Sequence, residues 1–384
     1  LTVSQELEYQ NLLREATEGL YENVFELNIT KDCANGDSTR RYFESLGRDG
    51  DVSYSAALKI IAQNQIKEEF AQGYLAAFTP ENVINAYQSG RSELFYDFMI
   101  TDGGGSWRWM RIRAKIFYWD SDKSVHMIAY RQDITAEKER IGAELNVATQ
   151  IQADMLPRIF PAFPERPEFD IYASMTPAKE VGGDFYDFFL VDDDHLAMVI
   201  ADVSGKGVPA ALFMVIAKTL LKNAAQTGLS PKAILEKVNN QLCANNEAEM
   251  FVTVWLGVYE ISTGKLTAAN AGHEYPAIRR SGGSFELVKD RHGFVLAGME
   301  NTRYREYELE IGPGDTLFVY TDGVAEATDA ANTLYGTERM LAALNTAPDS
   351  CPEELLTTVR WDIDQFVGGA PQFDDITMLA IRRR

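Results

Sequence analysis

Four histidines and three cysteines in 384 residues leave little material for soft-metal chemistry. Cys33, Cys243 and Cys351 are widely spaced, odd in number and in no CxxC pattern. That argues against a disulfide framework or a thiolate zinc site and fits a reducing cytoplasm. Cationic residues are also scarce: 36 Lys and Arg face 57 Asp and Glu, a formal charge of −21. A surface of that sign repels nucleic-acid phosphates and anionic lipid, and it concentrates divalent cations. Long apolar runs are missing too. The longest, Val208 to Ile216, is stopped by Lys218, short of the roughly 18 residues a membrane span needs. No secretory signal opens the chain, whose start is rich in Gln and Glu. The first residue is Leu1 rather than Met, so a membrane-anchored segment upstream of Leu1 stays open.

What is present is an ordinary globular mix, 46% hydrophobic and 24% charged. The length suits two to three domains at about 150 residues each. Tyr9, Leu13, Ala16 and Leu20 recur at helical spacing and predict an opening amphipathic helix. Phe25, Leu27 and Ile29 alternate with Glu26 and Asn28 as in a strand. Thr79-Pro80-Glu81 is a helix start, with Thr79 as cap and Pro80 at the first helical position. Strand-like runs at Glu93 to Ile100, Trp107 to Trp119 and Val125 to Gln132 are separated by Asp102-Gly103-Gly104-Gly105 and Asp120-Ser121-Asp122-Lys123. This order, closing on Asp133-Ile134-Thr135, resembles a PAS sensor domain over roughly residues 15 to 135. Residues 1–135 are therefore expected to be a PAS-like domain with an N-terminal helix. No His precedes His126, which disfavours a helix-borne haem ligand, and no cysteine has a flavin-photoreceptor setting. A small-molecule sensor and a ligand-free relay module both stay open.

Residues 136–160 read as a connecting helix and a proline-rich boundary. Ile141, Leu145, Ala148, Ile151 and Met155 step by four, three, three and four. That is the seam of a short coiled coil, or of an amphipathic helix lying on its own domain. Pro157, Pro161, Pro164 and Pro167 end it. A homodimer through the PAS-like unit and this helix is the expected assembly.

Residues 161–384 alternate strands with helices. Strands read at Leu196 to Ala201, Phe251 to Glu260, Lys265 to Ala271, Ala277 to Arg280, Phe285 to Val288, Thr316 to Tyr320 and Ile376 to Ile381; helices fit Pro209 to Gln226 and Pro231 to Ala244. The whole is expected to be α/β (α+β), with this part a layered sandwich. Four motifs put an Asp beside glycine or another Asp at a strand end. They are Gly182-Gly183-Asp184, Ala201-Asp202-Val203-Ser204-Gly205-Lys206-Gly207, Thr321-Asp322-Gly323 and Asp374-Asp375-Ile376-Thr377. Carboxylates at a sheet's rim, without His or Cys, favour hard cations with oxygen ligands, Mg²⁺ or Mn²⁺ over zinc.

Taken in order, with Glu180-Val181 and Phe185-Tyr186-Asp187 around the first, Asn270-Ala271-Gly272-His273 in the middle, and Val324-Ala325-Glu326-Ala327 after the third, these motifs closely resemble the SpoIIE-like bacterial branch of the PPM metal-dependent protein phosphatases. The resemblance covers roughly residues 165 to 384. It implies an αββα sandwich carrying a two-metal serine/threonine phosphatase, with Asp184, Asp202, Asp322 and Asp374 as the catalytic carboxylates. Asp202 would bridge the metals, the carbonyl of Val203 and Asp184 would serve one of them, and Asp322 and Asp374 the other. Asp375 stays open as the alternative to its neighbour. The implied substrate is a phosphorylated partner protein, a STAS-domain anti-sigma-factor antagonist, and the implied setting is stress signalling in the cytoplasm. Two such cations about 3.5–4 Å apart lower the pKa of a bridging water and neutralise the phosphate.

The sequence departs from the eukaryotic-type pattern in two places. Ser204 stands where those enzymes carry a His, and no Arg matches their phosphate-gripping one. Lys179 and Lys206 are candidates to compensate, although solvated lysines are the simpler reading. Protonation of the leaving group is unassigned. His273 reads as a packed, hydrogen-bonded corner residue rather than a general acid, and Asp187 and Glu326 as groups that orient ligands or cap helices. Gly182-Gly183-Asp184-Phe185 also looks like the diguanylate-cyclase signature, but Phe185 comes one residue early and that fold leaves Asp322 and Asp374 unexplained. The non-enzymatic alternative is a catalytically degenerate phosphatase fold that only binds a partner.

Overall fold

In the computed structural model, which describes residues 22–46, 52–101, 103–244 and 246–384, the alternating stretch around Phe25 and Leu27 forms β1 (Asn23–Asn28). It is followed by β2 (Cys33–Ala34), helices α1 (Asp37–Leu46), α2 (Tyr54–Asn64), α3 (Glu68–Phe78) and α4 (Pro80–Gln88), and strands β3 (Glu93–Ile100), β4 (Arg108–Trp119) and β5 (Ser124–Asp133). The strands make one antiparallel sheet in the order β2-β1-β5-β4-β3. Met110, Ile112, Ala114 and Ile116 turn one face of β4 into the core with Phe43, Tyr54 and Phe78. Pro80 takes the first helical turn as the sequence predicts, but the Thr79 hydroxyl makes no capping hydrogen bond. The opening helix expected around Tyr9 to Leu20, and Asp102 of the first turn, lie outside the described residues.

α5 (Thr135–Met155) follows. The chain forms two compact units, residues 1–143 and 144–384, so this helix contributes to both. Ile141, Ile151 and Met155 of the expected seam are exposed. The buried side chain of α5 is instead Gln152.

The second unit continues with β6 (Phe169–Thr176), β7 (Phe185–Leu190), β8 (His195–Val203), α6 (Val208–Ala225), α7 (Pro231–Cys243), β9 (Val252–Glu260), β10 (Lys265–Ala271), β11 (Ala277–Arg279), β12 (Phe285–Leu287), β13 (Glu306–Glu310), β14 (Thr316–Tyr320), α8 (Asp322–Ala325), α9 (Gly336–Leu344), α10 (Pro352–Val367) and β15 (Ile376–Arg383). Two five-stranded antiparallel sheets result, β13-β10-β9-β8-β7 and β12-β11-β14-β15-β6. Val199 and Leu256 of one sheet share a core with Leu317 and Leu379 of the other. Met214, Leu221 and Leu235 of α6 and α7 join that same core, while Met340, Leu355 and Val359 of α9 and α10 pack with Phe318 and Met378. The layers are thus helices, sheet, sheet, helices, the arrangement that buries both faces of each sheet.

Among the described residues, α6 is the one helix long and apolar enough to cross a membrane by length and composition. One face of it packs on the core, while Val208, Leu212 and Ile216 on the other are exposed. Ala210, Met214, Ala217 and Leu221 are buried, and the ammonium of Lys218 pairs with Asp187 on β7.

Candidate active site

β8 crosses the interior as an unbroken apolar run and delivers Asp202 and Val203 at its end. Its neighbour β7 starts beside that end, with Phe185 paired to Ala201, so Asp184 arrives at the same rim. In the other sheet Tyr320 pairs with Met378. The end of β14 and the start of β15 therefore bring Thr321-Asp322 and Asp374-Asp375 together. Two glycines make the close approach feasible. A Cβ on Gly183 would sit 2.8 Å from the Val203 carbonyl oxygen, and one on Gly323 would sit 1.9 Å from that of Asp375.

Asp184 is almost wholly buried. Its Oδ2 accepts hydrogen bonds from Thr321 Oγ1 at 2.7 Å and Thr377 Oγ1 at 2.6 Å, which ties one sheet to the other. Burial, then the charges of Asp202 and Asp375, push its carboxyl well above the usual range, and the two hydroxyls oppose the shift. Asp202 is pushed up to about 7, by burial first and the charge of Asp322 next, with Asp374 and Asp375 adding to it. Asp322 is pushed up to about 6 by burial, Glu326, Asp374 and Glu274. These shifts describe one thing: negative charge gathered at a water-poor rim with too little positive charge to offset it.

Asp374 and Asp375 divide their labour. Asp375 Oδ1 accepts from the amide of Ala178 at 2.7 Å, and its Oδ2 accepts from those of Gly183 at 2.7 Å and Asp184 at 3.3 Å. That carboxylate is occupied with holding backbone. Asp374 Oδ2 instead meets Lys206 Nζ at 2.9 Å, and the same ammonium lies 3.7 Å from the ring centroid of Phe373. Lys206 is therefore engaged rather than solvated, which corrects the simpler reading of that residue. Lys179 is exposed as that reading expects.

Among the described residues, no three carboxylate, imidazole or thiolate groups stand close enough to form a ready ligand set. The donor chemistry nonetheless fits hard divalent cations. Every candidate is an oxygen, and burial and like charge raise the pKa of Asp184, Asp202 and Asp322 above the usual carboxylate range, a penalty on the ionised form that a cation would relieve.

The remaining candidates fall outside the rim. Asp187 is buried in its ion pair with Lys218. Glu326 follows α8 and acts on Asp322 through its charge. Ser204 Oγ accepts the amide of Phe251 at 2.9 Å. His273 is buried, its amide bonded to Asn270 Oδ1 at 2.7 Å and its Nδ1 2.8 Å from Thr253 Oγ1. His195 and His292 pair with Asp192 and Asp290. Sequence reasoning gave no role to Thr321, Thr377, Glu274 or Gln152. The two threonines sit inside quoted motifs and were legible there; Gln152 carried no local signal.

A sequence model of the stage II sporulation protein E (SpoIIE) family matches residues 192–384, which include Asp202, Asp322 and Asp374, with Asp184 just upstream. Protein IcfG of Synechocystis sp. is 35% identical over 267 residues, 62% of this chain and 41% of that protein. Phosphoserine phosphatase RsbU of Bacillus subtilis is 30% identical over 203 residues, 52% of this chain and 59% of RsbU. The chain thus spans about half the length of the curated relatives it matches. Among solved structures, the SiaA-PP2C domain of Pseudomonas aeruginosa superposes with a TM-score of 0.58 at 24% identity, over 65% of this chain and 99% of that domain. That likeness is one of fold: mixed α/β with antiparallel sheets.

Proposed function

This chain belongs to the SpoIIE family, and on that premise we propose that residues 161–384 are a metal-dependent phosphatase domain that hydrolyses phosphoserine or phosphothreonine on a partner protein. The observation that carries the reading is the gathering of Asp184, Asp202, Asp322 and Asp374 from both sheets onto one rim, where burial and mutual repulsion raise the pKa of the first three. Asp184, Asp202 and the Val203 carbonyl would hold one cation, and Asp202, Asp322 and Asp374 the other. A bound pair of Mn²⁺ or Mg²⁺ ions supplies the Lewis acidity that activates water and neutralises phosphate.

The chain's own groups position this set. Thr321 and Thr377 fix the carboxylate of Asp184, and Asp375 fixes the turn that precedes it. Lys206, over the ring of Phe373 and paired with Asp374, is the ammonium we assign to meeting the substrate phosphate. The acidic surface and three free cysteines support a cytoplasmic protein. The partner we favour is a phosphorylated STAS-domain anti-sigma-factor antagonist.

We place regulation in residues 1–135, which we read as a PAS-like domain, a reading that the strand order and the helices between β2 and β3 support. α5 would carry the signal, and its exposed Ile141, Ile151 and Met155 support a homodimer. A monomer by light scattering at micromolar concentration would remove that assembly.

The test of activity is phosphate release from a phosphoserine peptide and para-nitrophenyl phosphate, with and without Mn²⁺, beside Asp202→Asn. Metal-dependent release that the variant loses is expected. No release from wild type carrying bound Mn²⁺, even after residues 1–135 are deleted, would leave the degenerate binding module.

A further inference from the structure

Among its described residues, the first unit holds a buried cation without a counter-ion. Arg131 on β5 is only 8% exposed. Its neighbours in the sheet are paired: Arg108 with Glu22 and Asp133, Arg111 with Asp97 and Glu137. Arg131 has no carboxylate partner among the described residues. Its guanidinium donates to Asn23 Oδ1 and, at 3.5 Å, to the Tyr42 hydroxyl, and lies 5.7 Å from the ring centroids of both Phe25 and Tyr42. The buried Nε–H has no acceptor. Two neutral dipoles and two π faces solvate a cation weakly, well short of what taking an ion out of water costs.

Beside this guanidinium is a cavity of about 30 Å³, lined by Arg131 together with Phe43, Tyr54, Tyr74, Phe78 and Met127. At roughly 10–15 Å³ for each water-sized occupant, it holds two or three such groups. Water would satisfy the orphan N–H but not the charge. An anion satisfies both, and the low-dielectric aromatic wall strengthens the pairing. Bonded atoms lie closer together than separate waters, so the same space limits the guest to three or four heavy atoms. The planar fork of a guanidinium prefers a planar oxyanion.

We propose that this cavity is a binding site for a small planar oxyanion, a carboxylate of formate or acetate size, nitrate or bicarbonate, held by Arg131. Binding is independent of the phosphatase reading; only its effect on phosphate release would rest on that reading.

The test uses the full chain. Sodium formate, acetate, nitrate and bicarbonate are titrated at an ionic strength held with sodium sulfate, followed by calorimetry and by thermal melting, with acetamide as the neutral isostere of acetate. Wild type is compared with Arg131→Met and Arg131→Lys. At least one anion is expected to bind saturably below tens of millimolar and raise the melting temperature, while acetamide does neither. Arg131→Lys, which keeps charge but loses the fork, should weaken binding by about tenfold or more, and Arg131→Met should abolish it. Circular dichroism reports whether the Met variant folds; should it not, the Lys variant and the acetamide arm still decide. Absence of saturable binding by all four anions, equal binding of acetamide, or undiminished binding in Arg131→Lys each overturns the proposal.

Discussion

Gln152 and Gly182 exchange two buried hydrogen bonds. Gln152 Nε2 donates to the Gly182 carbonyl at 2.7 Å, and Gln152 Oε1 accepts the Gly182 amide at 3.0 Å. One turn earlier Thr149 Oγ1 donates to the Glu180 carbonyl at 2.6 Å. The C-terminal half of α5 thus grips, by polar contacts, the turn that leads into Asp184. Asp375 holds the same turn from the other side. The connecting helix is in this way part of the scaffold of the candidate site.

Gln152→Ala should loosen that turn. It leaves a buried N–H and a buried C=O of Gly182 unpaired, at about 1–3 kcal/mol for each. We expect Mn²⁺ affinity by calorimetry to fall roughly tenfold, in line with one lost buried hydrogen bond, and amide exchange at residues 180–184 to quicken, with the far-ultraviolet spectrum unchanged. Wild-type exchange and affinity in the variant would reduce Gln152 to a tether.

Asp374 and Asp375 should separate cleanly on substitution. Asp375→Ala strips the acceptor from three backbone amides, and a stability loss of roughly 2–4 kcal/mol follows from charge-assisted bonds of this type. Asp374→Ala removes a partly exposed ion pair and the acceptor of one backbone amide, that of Asp375 at 2.9 Å, and should lower the melting temperature less. It should nevertheless weaken Mn²⁺ binding more than Asp375→Ala does. The reverse ranking in a metal titration would move the ligand by one residue.

Lys206→Met should tighten Mn²⁺ binding. The ammonium occupies Asp374 at 2.9 Å in a partly exposed pair, worth about 0.2–1 kcal/mol. A cation that needs Asp374 must displace it, so its removal should raise affinity by up to about fivefold. Unchanged or weaker binding would mean that Lys206 does not compete for that carboxylate.

How much of this was legible in the sequence follows from range. Asp202 and Asp322 each end a short apolar strand, so their place at a rim is written in the adjacent residues. β7 is written nowhere so plainly. Its Phe185–Leu190 run is buried on both faces, and Asp187 within it is neutralised by Lys218 from α6, so no alternation survives. β13 does alternate, with Glu306, Glu308 and Glu310 exposed on an edge strand, but its charge disguises it as a loop. The donors to Asp184 come from 137 and 193 residues away, and Phe373 reaches Lys206 across 167. Only the fold makes those pairs neighbours. The exposed seam on α5 shows the converse: Ile141, Ile151 and Met155 do keep their helical period, yet the residue that anchors the helix is a glutamine.

His273 should be silent in catalysis and visible in acid stability. Burial, chiefly, pushes its imidazole down to about 3 from the usual 6.5; the backbone of Tyr320 opposes that and the charge of His292 adds to it. A ring that stays neutral throughout the physiological range has no proton to give to a leaving group near pH 7. Its cost appears on acidification. The unfolded chain takes up the proton first, near 6.5, while the folded chain refuses it until about 3. The stability this residue contributes is therefore intact above about 6.5 and is lost progressively as the pH falls toward 3. His273→Gln should shrink the gap in unfolding free energy between pH 7.5 and pH 4.5, measured by denaturant titration, and leave the shape of the pH–rate profile unchanged. A limb in that profile near 6.5 that disappears in His273→Gln would show instead that the imidazole titrates during turnover and would restore it as the general acid.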